Sequence, residues 1–146
     1  MDNVLSRLHE LAHSSGSREH RARAAAGLIR VARPCRWVGL YDVTEDEIGV
    51  IAWNGPQPPT HPRFPLPLNG AAVASKLPLI VQDVASDPRY LTTIGGTRAE
   101  MIYPILRSTS VVVGTIDVES DKLNAFTDED ESLLAACGEA LRWLWA

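Results

Sequence analysis

Three acids, Glu100, Asp117 and Glu119, fall within the stretch Arg98 to Ser120 at spacings that give them a common task. Two apolar, β-branched runs, Ala99–Leu106 and Val111–Glu119, flank the polar break Arg107-Ser108-Thr109-Ser110, which is how an antiparallel hairpin is written. Strand side chains alternate between faces. Val112, Ile116 and Val118 therefore share one face of the second strand, and Val113, Thr115, Asp117 and Glu119 the other. Glu100 is in phase with Arg98 and Ile102 on the first strand. A tight turn at Ser108-Thr109 sets Glu100 opposite Asp117, and Arg98 opposite Glu119. Like charges directly opposite on a sheet repel, so three carboxylates on one patch need water or a cation. Trp37 and Tyr41, four apart in a strand, share a face and could wall a cation that the acids neutralise. The competing reading of Asp117 and Glu119 is a solvated sheet face.

A second constellation lies near the start. His9-Glu10-Leu11-Ala12-His13 spells H-E-x-x-H, and Gly16 and Glu19 imitate a longer zinc-protease spacing. Two imidazoles at i and i+4 of a helix can hold Zn²⁺, with the glutamate as base to its bound water. Only eight residues precede His9, which leaves no room ahead of it for a substrate-holding sheet, and the third ligand position carries Glu19. The motif reads as a surface helix with two exposed histidines, and no metal or cofactor is assigned. His20 and His61 stand alone. Cys35 and Cys137 belong to different elements without a paired motif, which fits free buried thiols in a reducing cytoplasm.

The positioning elements follow from periodicity. Asp2 to His13 is an amphipathic helix, and Ser17 caps a second, Arg18 to Ala32, whose buried stripe Ala25, Leu28, Ile29 and Ala32 is narrow. The period then changes to two in the strands Arg36–Val43 and Ile48–Trp53. Asn54 to Pro67 carries six of the ten prolines and reads as a lid or binding loop. A short helix, Asn69 to Lys76, a short strand, Leu79-Ile80-Val81, and a loop, Asp83 to Gly96, precede the hairpin. Thr127 caps a last helix running to about Trp145, with Leu133, Leu134, Cys137, Leu141 and Leu144 as its stripe. Of Trp143 and Trp145 only one can face inward, and the other reads either as a partly exposed tail residue or, preferred, as half of a homodimer contact through the terminal helices.

Length and composition set the frame. The 146 residues suffice for one domain with one core, and 45% hydrophobic with 22% charged residues is ordinary for a globular protein. A net charge of −4 with no Lys/Arg face argues against nucleic acid, the basic segment Arg18–Arg30 reading as the wet side of a helix. No apolar run is long enough for a membrane span, and Met1-Asp2-Asn3 opens no signal peptide. A cytoplasmic location is expected.

The segments Arg36–Val43, Leu79–Tyr90, Glu100–Ile105, Val113–Ser120 and Phe126–Asp130 together resemble a GAF domain, the small-molecule-binding module of sensor proteins. Within that superfamily the chain is most similar to the free methionine-(R)-sulfoxide reductases. The resemblance implies an α+β, GAF/PAS-like fold: an antiparallel sheet with N- and C-terminal helices on one face and a loop-covered pocket on the other. Residues 1–16 are expected as an N-terminal helix and 17–146 as a single GAF domain.

Carried over by residue, the similarity matches the family's substrate-contacting aromatics with Trp37 and Tyr41, its glutamate with Glu100, and its two acids with Asp117 and Glu119. In that family the acids hold the amino group and sulfoxide end of the free amino acid. The family's nucleophilic cysteine, seven residues before the glutamate, is matched by Thr93, and another by Asn69; none stands near Gln57–Pro62. A hydroxyl forms neither sulfenic acid nor disulfide. The resemblance thus implies a stand-alone sensor module with ligand contacts at Trp37, Tyr41, Asn69, Thr93, Glu100, Asp117 and Glu119 and without reductase chemistry, the alternatives being a residual reductase-like enzyme or a dimerisation module with a vestigial pocket. Phe126 to Glu131 reproduces half of a signature of cyclic-nucleotide-binding GAF domains. It reads as structural, with Phe126 plugging the core and Asp130 capping.

Overall fold

The runs that alternate with period two pair into one antiparallel sheet of order β2-β1-β5-β4-β3. The strands are β1 (Trp37–Val43), β2 (Ile48–Asn54), β3 (Leu79–Val81), β4 (Ala99–Ser108) and β5 (Val111–Ser120). The helices are α1 (Asp2–His13), α2 (Arg18–Ala32), α3 (Pro67–Ser75) and α4 (Asp128–Leu141). This computed structural model describes residues 2–58, 66–90 and 95–145, so Thr93 and residues 59–65 of the proline-rich segment lie outside the described residues. The architecture is the expected α+β arrangement.

One face of the sheet carries the main core. Leu8 of α1, Ala22, Ala25 and Ile29 of α2, and Leu134 and Leu141 of α4 pack with Val38, Leu40, Met101, Ile116 and Val118. Each large aliphatic so buried contributes roughly 1.5–3 kcal/mol. The small side chains of α2 let it lie close against β2 and β1. On the other face α3 supplies Leu68 and Ala72 to a second cluster with Val81, Val84 and Ile102. Met101 and Ile102 thus point to opposite faces, as a strand requires. Pro67 takes the first position of α3, where a missing N–H costs nothing, so the helix begins two residues before the expected Asn69.

The cap expected at Thr127 is a full capping box. Its hydroxyl accepts from the Asp130 N–H, and its own N–H donates to the Asp130 carboxylate at 2.9 Å. Arg33 ties this corner to α2, donating to Asp130 Oδ1 at 2.6 Å and to the Ala125 carbonyl at 2.6 Å. After Leu141 the chain tightens into a 3₁₀ turn, Arg142–Trp145. Trp145 is buried and its Nε1–H donates to the Tyr41 carbonyl at 3.0 Å. A Cβ on Gly114 would overlap that indole, so the glycine makes its seat. Trp143 is 56% exposed and is the outward-facing member of the pair.

The hairpin register differs from the expected one. Glu100 pairs with Glu119, Ile102 with Asp117 and Ala99 with Ser120; Glu100 is not opposite Asp117, nor Arg98 opposite Glu119. The two-residue turn is Thr109-Ser110, one residue later than expected, because Ser108 pairs with Val111. Moving a turn by one residue moves the register by two, which preserves every side chain's face. Local irregularities at Ile105/Leu106 and Leu106/Ser108 cancel each other. Beside them Val113 joins the helix-side core instead of the face of Thr115.

Candidate functional site: a buried acid cluster on the sheet

Across the α3 face the strands set their side chains in rows. Trp37, Glu119, Glu100 and Val81 form one row, and Gly39, Asp117, Ile102 and Leu79 the next. Glu100, Asp117 and Glu119 are 5%, 2% and 1% exposed, which rules out a solvated sheet face. One oxygen from each lies within 4.8 Å of the others. At that separation two unit charges repel by about 3.5 kcal/mol with an effective dielectric constant of 20.

The neighbours meet part of the demand. Asn69 of α3 donates to Asp117 Oδ2 at 3.1 Å and accepts from the Thr115 hydroxyl at 2.6 Å. Thr97 donates to Glu119 Oε1 at 2.7 Å. Asp117 Oδ1 is buried and, with Glu100 ionised, has no donor among the described residues. A protonated Glu100 can supply one. Burial, then repulsion from Asp117 and Glu119, pushes the Glu100 carboxyl well above the usual range. Burial, then Asp117, does the same to Glu119, with the Thr97 hydrogen bond and the Arg36 charge opposing. Burial pushes Asp117 up to about 6, although hydrogen bonds with Glu100 and Asn69 draw it downward. All three shifts favour keeping a proton on the cluster.

Tyr41, Asn69, Tyr90, Glu100 and Asp117, with Leu66–Leu68, enclose a cavity of about 20 Å³. That is room for one water-sized body. Tyr41 is buried, and burial followed by the three acids pushes its hydroxyl well above the usual tyrosine range. The buried Tyr90 hydroxyl has no partner meeting hydrogen-bond geometry among the described residues. Trp37 does not line the cavity. Its indole lies over Gly39, where any Cβ would overlap it, and its Nε1–H donates to the Pro56 carbonyl at 3.0 Å. It packs 6.3 Å from the Tyr41 ring, centroid to centroid. Trp37 thus backs Tyr41.

The structure therefore brings Tyr41, Asn69, Glu100, Asp117 and Glu119 together, with Trp37 behind them, while Thr93 lies outside the described residues. Thr97, Thr115, Tyr90 and Arg36 were not among the expected contacts. Thr115 alternates with Asp117 and Glu119, so period two already set it on this face. Tyr90, Thr97 and Arg36 arrive from loops and a strand end, where no period operates. Both cysteines are on the opposite side of the sheet. Cys137 sits in the helix-side core, and Cys35 borders an open groove between α1 and α2 of about 1070 Å³. Burial pushes each thiol up to about 11, so neither is a ready thiolate. The groove is mainly apolar and gathers no comparable set of buried ionisable groups.

Comparison with known proteins fits this geometry. The chain is 34% identical over 99 residues to GAF domain-containing protein A of Dictyostelium discoideum, covering 67% of this chain and 62% of that protein's length. It thus spans less than two thirds of that relative. The type II free methionine-R-sulfoxide reductase from Thermoplasma acidophilum superposes with a TM-score of 0.78 at 28% identity, covering 94% of each chain. The free methionine-R-sulfoxide reductase from Neisseria meningitidis, solved with its substrate, superposes with a TM-score of 0.79 at 25% identity, over 98% of this chain and 84% of that one. The sequence pattern of the GAF domain is matched over residues 21–141. The chain belongs to the GAF domain family.

Proposed function

We propose that this GAF domain is a sensor module that binds a small amine-bearing ligand, such as a free amino acid or a derivative of one, and performs no reductase chemistry. The observation that supports this is the buried triad itself. Glu100 and Asp117 line one small cavity and Glu119 lies within 4.8 Å of them, a set of acceptors that can take the N–H donors of an ammonium group and neutralise it. Asp117, whose Oδ1 has no partner among the described residues, lines that cavity. An ammonium group displaces the proton the cluster holds and exchanges mutual repulsion for attraction. The cavity takes the head group alone, so a whole amino acid enters when Tyr90 or the start of α3 moves outward. No cysteine lies at this cavity, because the chain's two thiols are both on the helix side.

A thermal-shift screen of free amino acids and simple amines tests the proposal. The expected result is a stabilising ligand whose effect is lost in both Glu100→Gln and Asp117→Asn. A screen without hits, or hits indifferent to both substitutions, contradicts it.

A further inference from the structure

The H-E-x-x-H segment has no part in the acid cluster, yet its histidines are arranged for chemistry of their own. His9 and His13 are both exposed on α1, and their rings stack with centroids 4.4 Å apart and planes inclined by 27°. The Nδ1 of His13 lies 3.2 Å from the His9 carbonyl oxygen. A carbonyl only accepts, so this contact assigns the proton to Nδ1 and leaves Nε2 as the ring nitrogen able to offer a lone pair to a metal. That is the tautomer of a metal ligand whose second nitrogen is fixed by a carbonyl. On its other side, the Trp143 ring meets His13 edge-on at 5.8 Å and limits its rotation.

We propose that His9 and His13 form a two-imidazole chelate for a borderline divalent transition-metal ion, with Cu²⁺ bound more tightly than Zn²⁺. Two nitrogens on one ion at about 2.0–2.1 Å stand at most about 4.2 Å apart. Chelation requires the two rings to leave the stack and turn a lone pair each toward one point, which their exposed positions one helical turn apart allow. Imidazole pairs suit Cu and Zn, and Cu²⁺ heads the affinity order for a given nitrogen site. Water completes the coordination. The site is separate from the acid triad, whose all-carboxylate donors favour harder cations. Because i and i+4 lie one turn apart, a bound ion also clamps α1 in its helical form.

The experiment is calorimetric titration of the untagged full chain with Cu²⁺ and Zn²⁺, alongside Trp143 fluorescence. One Cu²⁺ per chain is expected to bind, quench Trp143 and raise the unfolding temperature. His9→Gln or His13→Gln should each weaken binding by about tenfold or more, and His20→Gln should leave it unchanged. Trp143→Phe should remove the quenching and keep the calorimetric signal. All are exposed positions, and circular dichroism confirms that the variants stay folded. Absence of binding, or Cu²⁺ affinity unchanged in the His9→Gln/His13→Gln double variant, overturns the proposal. Binding lost in Glu100→Gln instead would assign the ion to the acid cluster and likewise overturn it, without bearing on amine recognition.

Discussion

Glu100 of β4 and Glu119 of β5 are directly paired across the sheet, and both are buried. A like-charged pair in that position is unfavourable on an exposed sheet and more so in an interior. Asp117 sits one row further along with an oxygen still seeking a donor. A sequence that keeps this arrangement sacrifices stability at one spot, which is common where a site must hold a charged partner.

Replacing the Glu100 carboxyl by a neutral group of the same shape should therefore stabilise the ligand-free protein wherever the unfolded glutamate is ionised. Glu100→Gln is expected to add about 1–3 kcal/mol at pH 8, measured by urea denaturation. At pH 4.5 the gain should shrink, because the unfolded glutamate is then itself partly protonated and loses little by keeping its proton in the fold. A variant less stable than the parent at pH 8 would mean that the triad already carries its own compensation.

The pH profile has a defined sign. With its carboxyl pushed up to about 6, Asp117 holds its proton in the folded chain where the unfolded chain, at 3.8, has lost it. Stability therefore falls as pH rises from about 4 through 6, and Glu100 and Glu119 extend the decline upward. Asp130 works in reverse. Burial would raise it, but hydrogen bonds from Arg33 and Thr127 hold its carboxyl below the usual value, so its contribution is lost as pH falls below 3.8. Melting temperature measured from pH 3 to 9 should peak between these limits, and Asp117→Asn should flatten the upper limb.

Asp130 closes the capping box and receives Arg33, so Asp130→Ala removes both at once. The expected loss is about 2–4 kcal/mol in denaturant unfolding. A loss below 0.5 kcal/mol, about what a plain surface substitution gives, would show that the corner between α2 and α4 is held otherwise.

Much of this was legible in local chemistry. Thr127 and the acids after it announce a helix start, and period two in Val111–Ser120 fixes which side chains share a face. Register was not legible, because Arg107–Ser110 lacks a turn residue that selects one register. Nor was the burial of the acids, which depends on α3 and Tyr90 closing over them. Asn69 reaches Asp117 across 48 positions of chain, a contact that no periodicity encodes. It entered through the family resemblance. The orientation of the last tryptophans depends on α4 tightening into a 3₁₀ turn, which alters their angular spacing.

That orientation is testable. Trp145→Ala should cost about 3–5 kcal/mol and free the space over Gly114. Trp143→Ala should change stability by no more than about 0.5 kcal/mol. It is Trp143, not Trp145, that probes the proposed homodimer contact through the terminal helices, by sedimentation before and after substitution.

Three carboxyl groups crowd together in the interior of the sheet and need a proton or a cation there. Carbon-13 NMR of the side-chain carboxyls of Glu100, Asp117 and Glu119, followed against pH, observes this directly. At least one of them is expected to titrate at or above pH 6 in the ligand-free protein and to lose its proton when a bound amine takes its place. Three carboxyls titrating together near pH 4, indifferent to any amine, would contradict it.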